Sequence, residues 1–169
     1  MKAKNTLVKK DDTVIYVGDK GPIDCRVVEI PNFTNCPNAE ILCRYEDVAV
    51  LLEDTVNKIF IEADVIFGNG SILAKRGSLN IVLLAKHYKK TIVGSCGSWT
   101  YCGDCPISDD EVEDIYGDTI FDKYDFIDGK LLNCVVMESG SIIPGQIMYH
   151  VGEGYKGFGF ETINWWKWW

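Results

Sequence analysis

ADVIFGNGSILAKRGSLNIVLLAKHYKKTIVGS, residues 63–95, reads as strand, turn, helix and strand in succession. Ala63 to Gly68 is a short apolar run that ends in Gly68-Asn69-Gly70-Ser71, a turn composition. Gly77-Ser78 opens a helix over Leu79 to Tyr88, whose apolar residues cover most of its circumference and so predict burial in a layer. Thr91 to Ser95 is the next strand. Strands joined by a buried crossover helix define a parallel βαβ unit.

Working outward, Val48 to Leu52 reads as a buried strand, with Asp54 capping a helix that ends near Ile61. Before it, Asn38 is placed to cap a short helix over Ala39 to Tyr45. Thr13 to Val17 and Cys25 to Ile30 are β-rich strands. Their connection, Gly18 to Pro22, is too short for a crossover helix, which is unusual in a parallel sheet. On the other side, Gly97 to Asp122 holds Pro106, several glycines and a run of acidic residues, and reads as a solvated, mobile loop. Asp128 is placed to cap a helix through Glu138, stopped at Gly140, and Pro144 to Val151 reads as one more short helix. The expectation is a single Rossmann-like three-layer α/β/α domain over residues 1–169. It would have a mostly parallel sheet, an acidic loop about 97–122 and an aromatic tail about 152–169.

The chain has 169 residues, 17 Lys+Arg against 25 Asp+Glu and a net charge of −8, so it lacks the basic excess behind most non-specific nucleic-acid affinity. No apolar run approaches the roughly 20 residues of a spanning helix, and basic Met1 to Lys10 lacks the apolar stretch of a signal peptide. Seven cysteines leave one unpaired in any full disulfide scheme, which fits reduced thiols. These points predict a cytoplasmic protein with no direct nucleic-acid or membrane partner.

Gly68, Asn69, Gly70 and Ser71 stand at the carboxyl end of a strand, where open α/β sheets bind ligands; they form either a structural turn or an anion site. Neither the dinucleotide fingerprint nor the phosphate-loop pattern is complete. Cys102-Gly-Asp-Cys105 with Cys96 leaves three readings open. They are ordinary reduced thiols, a redox pair, or zinc ligands completed by Cys134 or His150. No metal or cofactor is expected. His87 and His150 have no local catalytic spacing. Four of the five Trp, at Trp165, Trp166, Trp168 and Trp169, come after Phe158 and Phe160 at the end of the sequence. Such a cluster packs on its own sheet, in a partner, or at a membrane interface.

Several stretches in order resemble the carboxyl-terminal half of the regulatory subunits of eukaryotic translation initiation factor 2B, with the beta subunit the nearest likeness. Val28-Glu-Ile-Pro-Asn-Phe33 and Ala39-Glu40 are similar to one strand and loop of that family, and Leu51 to Ile61 to the next strand and helix. Ala63 to Gly68, Ile72-Leu-Ala74 and Lys75 to Lys90 are similar to its Gly-x-x-x-Ile-Leu-Ala and Gly-Thr-x-x-Leu-Ala-x-x-Ala-Lys-His pattern. Tyr124-Asp125, Leu131-Leu132, Met137-Glu-Ser-Gly140 and Pro144 resemble its closing elements.

The resemblance implies a non-catalytic subunit of a guanine-nucleotide exchange factor. It would pair with other subunits, especially a delta-like one, and support conversion of initiation factor 2 from its GDP to its GTP form. The aromatic tail would line or flank a subunit contact. The family's amino-terminal helical domain has no counterpart here. Related sugar-phosphate isomerases, the methylthioribose-1-phosphate isomerases among them, share the fold and offer the alternative of a sugar-phosphate or nucleotide-binding enzyme. They carry a catalytic Asp two residues after the glycine matching Gly68, where this chain has Gly70, and their catalytic Cys falls in a region without counterpart.

Overall fold

A computed structural model describes residues 48–54 and 56–152, together with the backbone of residues 13–17, 25–29 and 40–43. In chain order the elements are β1 (Thr13–Val17), β2 (Cys25–Glu29), β3 (Glu40–Cys43), α1 (Val48–Asp54), β4 (Lys58–Phe67), β5 (Ile72–Lys75) and α2 (Ser78–His87). They continue with β6 (Thr91–Ser95), β7 (Tyr101–Cys102), α3 (Asp109–Tyr116), β8 (Tyr124–Ile127), β9 (Cys134–Met137) and β10 (Gly140–Ile142).

The strand order is β10-β9-β6-β4-β1-β2-β3. The four central strands are parallel, with Ile59 of β4 opposite Ile15 of β1 on one side and Ile92 of β6 on the other. The edges turn antiparallel. β4 is ten residues long, twice the length of β6, and its second half leaves this sheet. Past an irregularity between Ala63 and Val65 it pairs with β5 and β7, and β5 pairs with β8. One strand thus serves two sheets, the kind of redirection a β-bulge produces.

The larger core draws on both sheets, Ile66, Ile72, Ala74 and Ile127 of the second included, and a smaller one belongs to the second sheet alone. Val48 and Leu52 of α1 and Ile81, Val82 and Ala85 of α2 pack with Ile59, Ile61, Ile92 and Val135. Val112 of α3 closes a second cluster with Phe67, Leu73 and Phe126. A mixed sheet with parallel core strands flanked by helices is the three-layer α/β/α class expected from residues 63–95.

Several boundaries differ from the expectation. Val48 to Leu52 is helical, not a strand: the core takes Val48 and Leu52, four apart, and leaves Val50 64% exposed. Asp54 is the last residue of that helix and caps nothing, and residues 58–61 extend β4 backwards. Glu40–Cys43 is a strand, pairing Cys43 with Cys25 in an antiparallel ladder, so no helix fills 39–45. β1 and β2 also pair antiparallel, as their short connection requires. Residues 97–122 are not one loop, since they hold β7 and α3. Asp128 caps only the single turn Gly129–Leu131, through its Oδ1 accepting from Lys130 N at 2.9 Å. Beyond it the chain is β9, held to β6 by Asn133, whose Oδ1 accepts from Ile92 N at 2.8 Å while its N donates to Ile92 O. Pro144–Gln146 and Met148–Gly152 are separate helical turns.

Helix α2 starts as the sequence predicts, but its cap is remote. Asp125 of β8 accepts from Gly77 N at 2.7 Å and Leu79 N at 2.9 Å. A carboxylate at the amino end satisfies orphan donors and meets the positive end of the helix dipole. Among the described residues no helix is long and apolar enough to cross a membrane.

Candidate functional site

The carboxyl ends of parallel strands are where α/β sheets open to ligands, because the chain reverses there and leaves a crevice. In this fold the first half of β4, β6 and β9 end around a cleft of about 310 Å³, lined by Glu62, Asp64, Ser95, Cys96, Trp99 and Glu138, among others. Its described lining holds three carboxylates and no Lys, Arg or His. Lys75 stands beside it, its Nζ 3.3 Å from Asp64 Oδ2. Glu138 accepts from the backbone N of Ser98 at 3.1 and 3.2 Å and from the Ser98 hydroxyl. Partial burial pushes its carboxyl up, but these hydrogen bonds outweigh that and hold it below the usual range. Trp99 is 79% exposed at the rim, its indole lying over Gly97, where an added Cβ would meet the ring at 2.3 Å.

Cys96 is the nucleophile candidate by position, and its environment opposes the role. Burial pushes its thiol up to about 12, with a hydrogen bond to Thr100 working against the shift and the Glu138 charge adding to it. A thiol with that pKa stays protonated through the physiological range. Between pH 7 and pH 9.5, alkylation of the folded protein followed by mass mapping is therefore expected to label exposed Cys105 and leave Cys96 largely unmodified. Equal labelling of both would contradict the assignment.

The Gly68 to Ser71 turn is a hairpin corner between β4 and β5, not a strand-to-helix corner, so no helix dipole points at it. Three of its four backbone N–H groups are engaged. Gly68 N donates to Asp104 O and Gly70 N to Phe67 O, both at 2.9 Å, and Ser71 N donates to Asn69 Oδ1 at 3.0 Å. Asn69 Nδ2 donates to Pro106 O, and Gly129 N donates to the buried Ser71 hydroxyl oxygen at 3.1 Å. Gly70, at φ +84, packs so closely that an added Cβ would stand 2.3 Å from Pro144 O. This is the geometry of a structural turn.

The cysteine cluster does not assemble. Among the described residues no three Cys, His, Asp or Glu side chains converge to hold a metal ion. Cys102 Sγ donates to Asp104 Oδ2 at 3.2 Å, and burial pushes that thiol up. Cys105 Sγ turns to Gly103 O at 3.8 Å. His87 and His150 are exposed. Phe158, Phe160 and the four carboxyl-terminal Trp lie outside the described residues. No motif in the sequence singles out Glu62, Asp64, Trp99 or Glu138. Glu138 comes directly after β9 and Trp99 four residues after β6, and that nearness to strand ends is the signal that could have found them.

A second hollow, about 480 Å³, lies on the other side of the hairpin corner, between Asn69, Pro106, Ile107, Leu132, Ile143 and Pro144.

A parallel-cored α/β domain with an acidic crevice and a neutral thiol is thus the class defined by fold and site. Residues 44–121 match the Initiation factor 2 subunit family. That upholds the family resemblance over this stretch. Three solved structures share the fold. The eIF2B beta structure from Chaetomium thermophilum is 21% identical with a TM-score of 0.53, over 69% of this chain and 32% of that one. Subunit delta of translation initiation factor eIF-2B from A. fulgidus is 14% identical with a TM-score of 0.53, over 66% and 38%. The 5-methylthioribose 1-phosphate isomerase from Pyrococcus horikoshii OT3 is 18% identical with a TM-score of 0.51, over 65% and 36%. The chain thus spans between 32% and 38% of the length of these structures. No curated protein matches it.

Proposed function

We propose that this chain is a single-domain, non-catalytic subunit of an initiation factor 2B-type guanine-nucleotide exchange complex. It is beta-like, pairs with a delta-like subunit, and acts in the cytoplasm to support GDP/GTP exchange on initiation factor 2. The observation that carries the reading is the family match over residues 44–121. The site supports it: the crevice where an enzyme of this fold class would work is lined by three carboxylates and a thiol that stays protonated. The tail aromatics Phe158, Phe160, Trp165, Trp166, Trp168 and Trp169 belong to the same proposal, lining or flanking the subunit contact.

The fold shared with the isomerase favours a second reading, an enzyme on a sugar phosphate bound at Gly68 to Ser71. A phosphate dianion would meet Glu62, Asp64 and Glu138 at the crevice, and at the turn four backbone N–H groups, three of which already have partners. Calorimetry with ribose 1-phosphate and with nucleotides at millimolar concentration is expected to show no saturable heat. A saturable isotherm that inorganic phosphate competes away would favour the enzyme.

A further inference from the structure

The crevice beyond β4, β6 and β9 has a chemistry that the subunit role leaves unused. Ile61, Ala63, Val135 and Met137 turn into the larger core, as would a Cβ at Gly94, which would meet Leu132 and Val135. Side chains alternate along a strand, so Glu62, Ser95 and Val136 leave by the opposite face. The register sets these three side by side across the strands. Ser95 is only 5% exposed and lines the crevice, and its hydroxyl has no hydrogen-bond partner among the described residues. Around it stand Glu62, Asp64 and Glu138, whose only ion pair among the described residues is the one between Asp64 and Lys75. Three carboxylates against one lysine leave a net negative charge around an unpartnered polar floor.

This arrangement suits an organic cation rather than a metal ion. Among the described residues no three acids converge on a point, as a metal ion would require. The hollow of about 310 Å³ is at the lower end of the range of about 300–1,000 Å³ for small-molecule sites. At its rim the Trp99 indole rests on Gly97 and leaves the rest of its surface bare, 79% exposed, which costs free energy until something covers the ring. An aromatic face beside carboxylates attracts an ammonium group and the methylene chain that carries it. We propose that the crevice binds an aliphatic ammonium ion, which donates to the Ser95 hydroxyl and to the Glu62 carboxylate beside it and lays its methylene chain against the Trp99 ring. Asp64 and Glu138 supply the surrounding negative field. The inference goes beyond the subunit role: it concerns the described strands alone and holds or fails whatever complex the chain joins.

The test titrates the full chain by calorimetry at low ionic strength with 1,4-diaminobutane and with N-acetyl-lysine methylamide, which carry the same group on a free diamine and on a polypeptide side chain. At least one is expected to bind saturably at a single site at millimolar concentration or below, and the tighter of the two tells which source the ligand has. Uncharged 1,4-butanediol is expected to give no saturable heat. Glu62→Gln is expected to weaken the binding about tenfold or more, the loss of one charge-assisted hydrogen bond. Trp99→Ser is expected to weaken it about threefold, the range of a surface cation–π contact. Trp99 is a surface residue, so its variant stays informative even where Glu62→Gln lowers stability. Asp114→Asn removes the same charge from an exposed position on α3 and is expected to leave the binding unchanged. No saturable heat from either amine, or equal binding of the diol, overturns the proposal. So does equal weakening by Asp114→Asn and Glu62→Gln, because binding would then follow net charge alone.

Discussion

Replacing Gly70 by Asp is expected to cost about 2–5 kcal/mol of folding stability, the sum of left-handed backbone strain and overpacking. Gly70 holds φ +84, and an added Cβ would stand 2.3 Å from Pro144 O and 2.6 Å from Pro144 Cα, backbone atoms that cannot rotate away. Gly129 is pressed on the same spot, its own missing Cβ 2.8 Å from the Gly70 carbonyl carbon, so the corner has no direction in which to relax. For a domain of this size the loss corresponds to a drop in Tm of about 5–20 °C. The substitution has a functional edge, because the resemblance to sugar-phosphate isomerases puts their catalytic Asp at this position. A backbone that excludes any side chain there cannot present a carboxylate. Thermal denaturation of Gly70→Asp with an unchanged Tm would mean the corner is looser than described and would reopen the enzyme reading.

Phe67→Ala is expected to cost about 3–5 kcal/mol, the range for truncating a fully buried aromatic. Phe67 is completely buried at the far end of β4 and meets Tyr116 of α3 and Phe126 of β8 edge-on, with ring centroids 6.2 and 6.1 Å apart. It is the more deeply buried of the two phenylalanines in the smaller core, whose other buried members among the described residues are Leu73, Val112 and Phe126. The loss should be uneven: amide exchange in α3, Asp109–Tyr116, should rise well before exchange in β6, which belongs to the other core. Denaturant unfolding that shows less than about 1 kcal/mol would contradict the packing account.

How much of the fold is legible in the residues depends on the range of the interactions involved. Helix α2 and strand β6 are legible because an apolar-rich run, a glycine-serine start and a β-branched run are local signals. The all-round burial expected from the helix's composition does not hold, since it buries only Ser78, Ile81, Val82 and Ala85 and leaves Leu83 49% exposed. Val48 to Leu52 is not legible, since a short apolar run fits a buried strand and a buried helix equally and only the core decides. Helix α3 carries a local signal that the acidic composition hides. The Ser108 hydroxyl accepts from Glu111 N at 3.3 Å, and Glu111 Oε2 accepts from Ile107 N at 2.9 Å. That is a close relative of the capping box, and the first-turn acids Asp109, Asp110 and Glu111 complement the helix dipole rather than merely solvating a loop. The cap of α2 by Asp125 and the placing of Glu138 in the crevice are out of reach, because each joins residues about 40 or more positions apart. The Gly68 to Ser71 turn is visible in the sequence, and its role depends on whether a helix or a strand comes next.

The subunit assignment is tested most directly by native mass spectrometry of the tagged chain, purified gently from its own cells. It weighs the intact assembly and identifies each component. The account predicts recovery in a multi-subunit complex that contains a delta-like partner. A lone monomer or homodimer carrying a small phosphorylated ligand would contradict it.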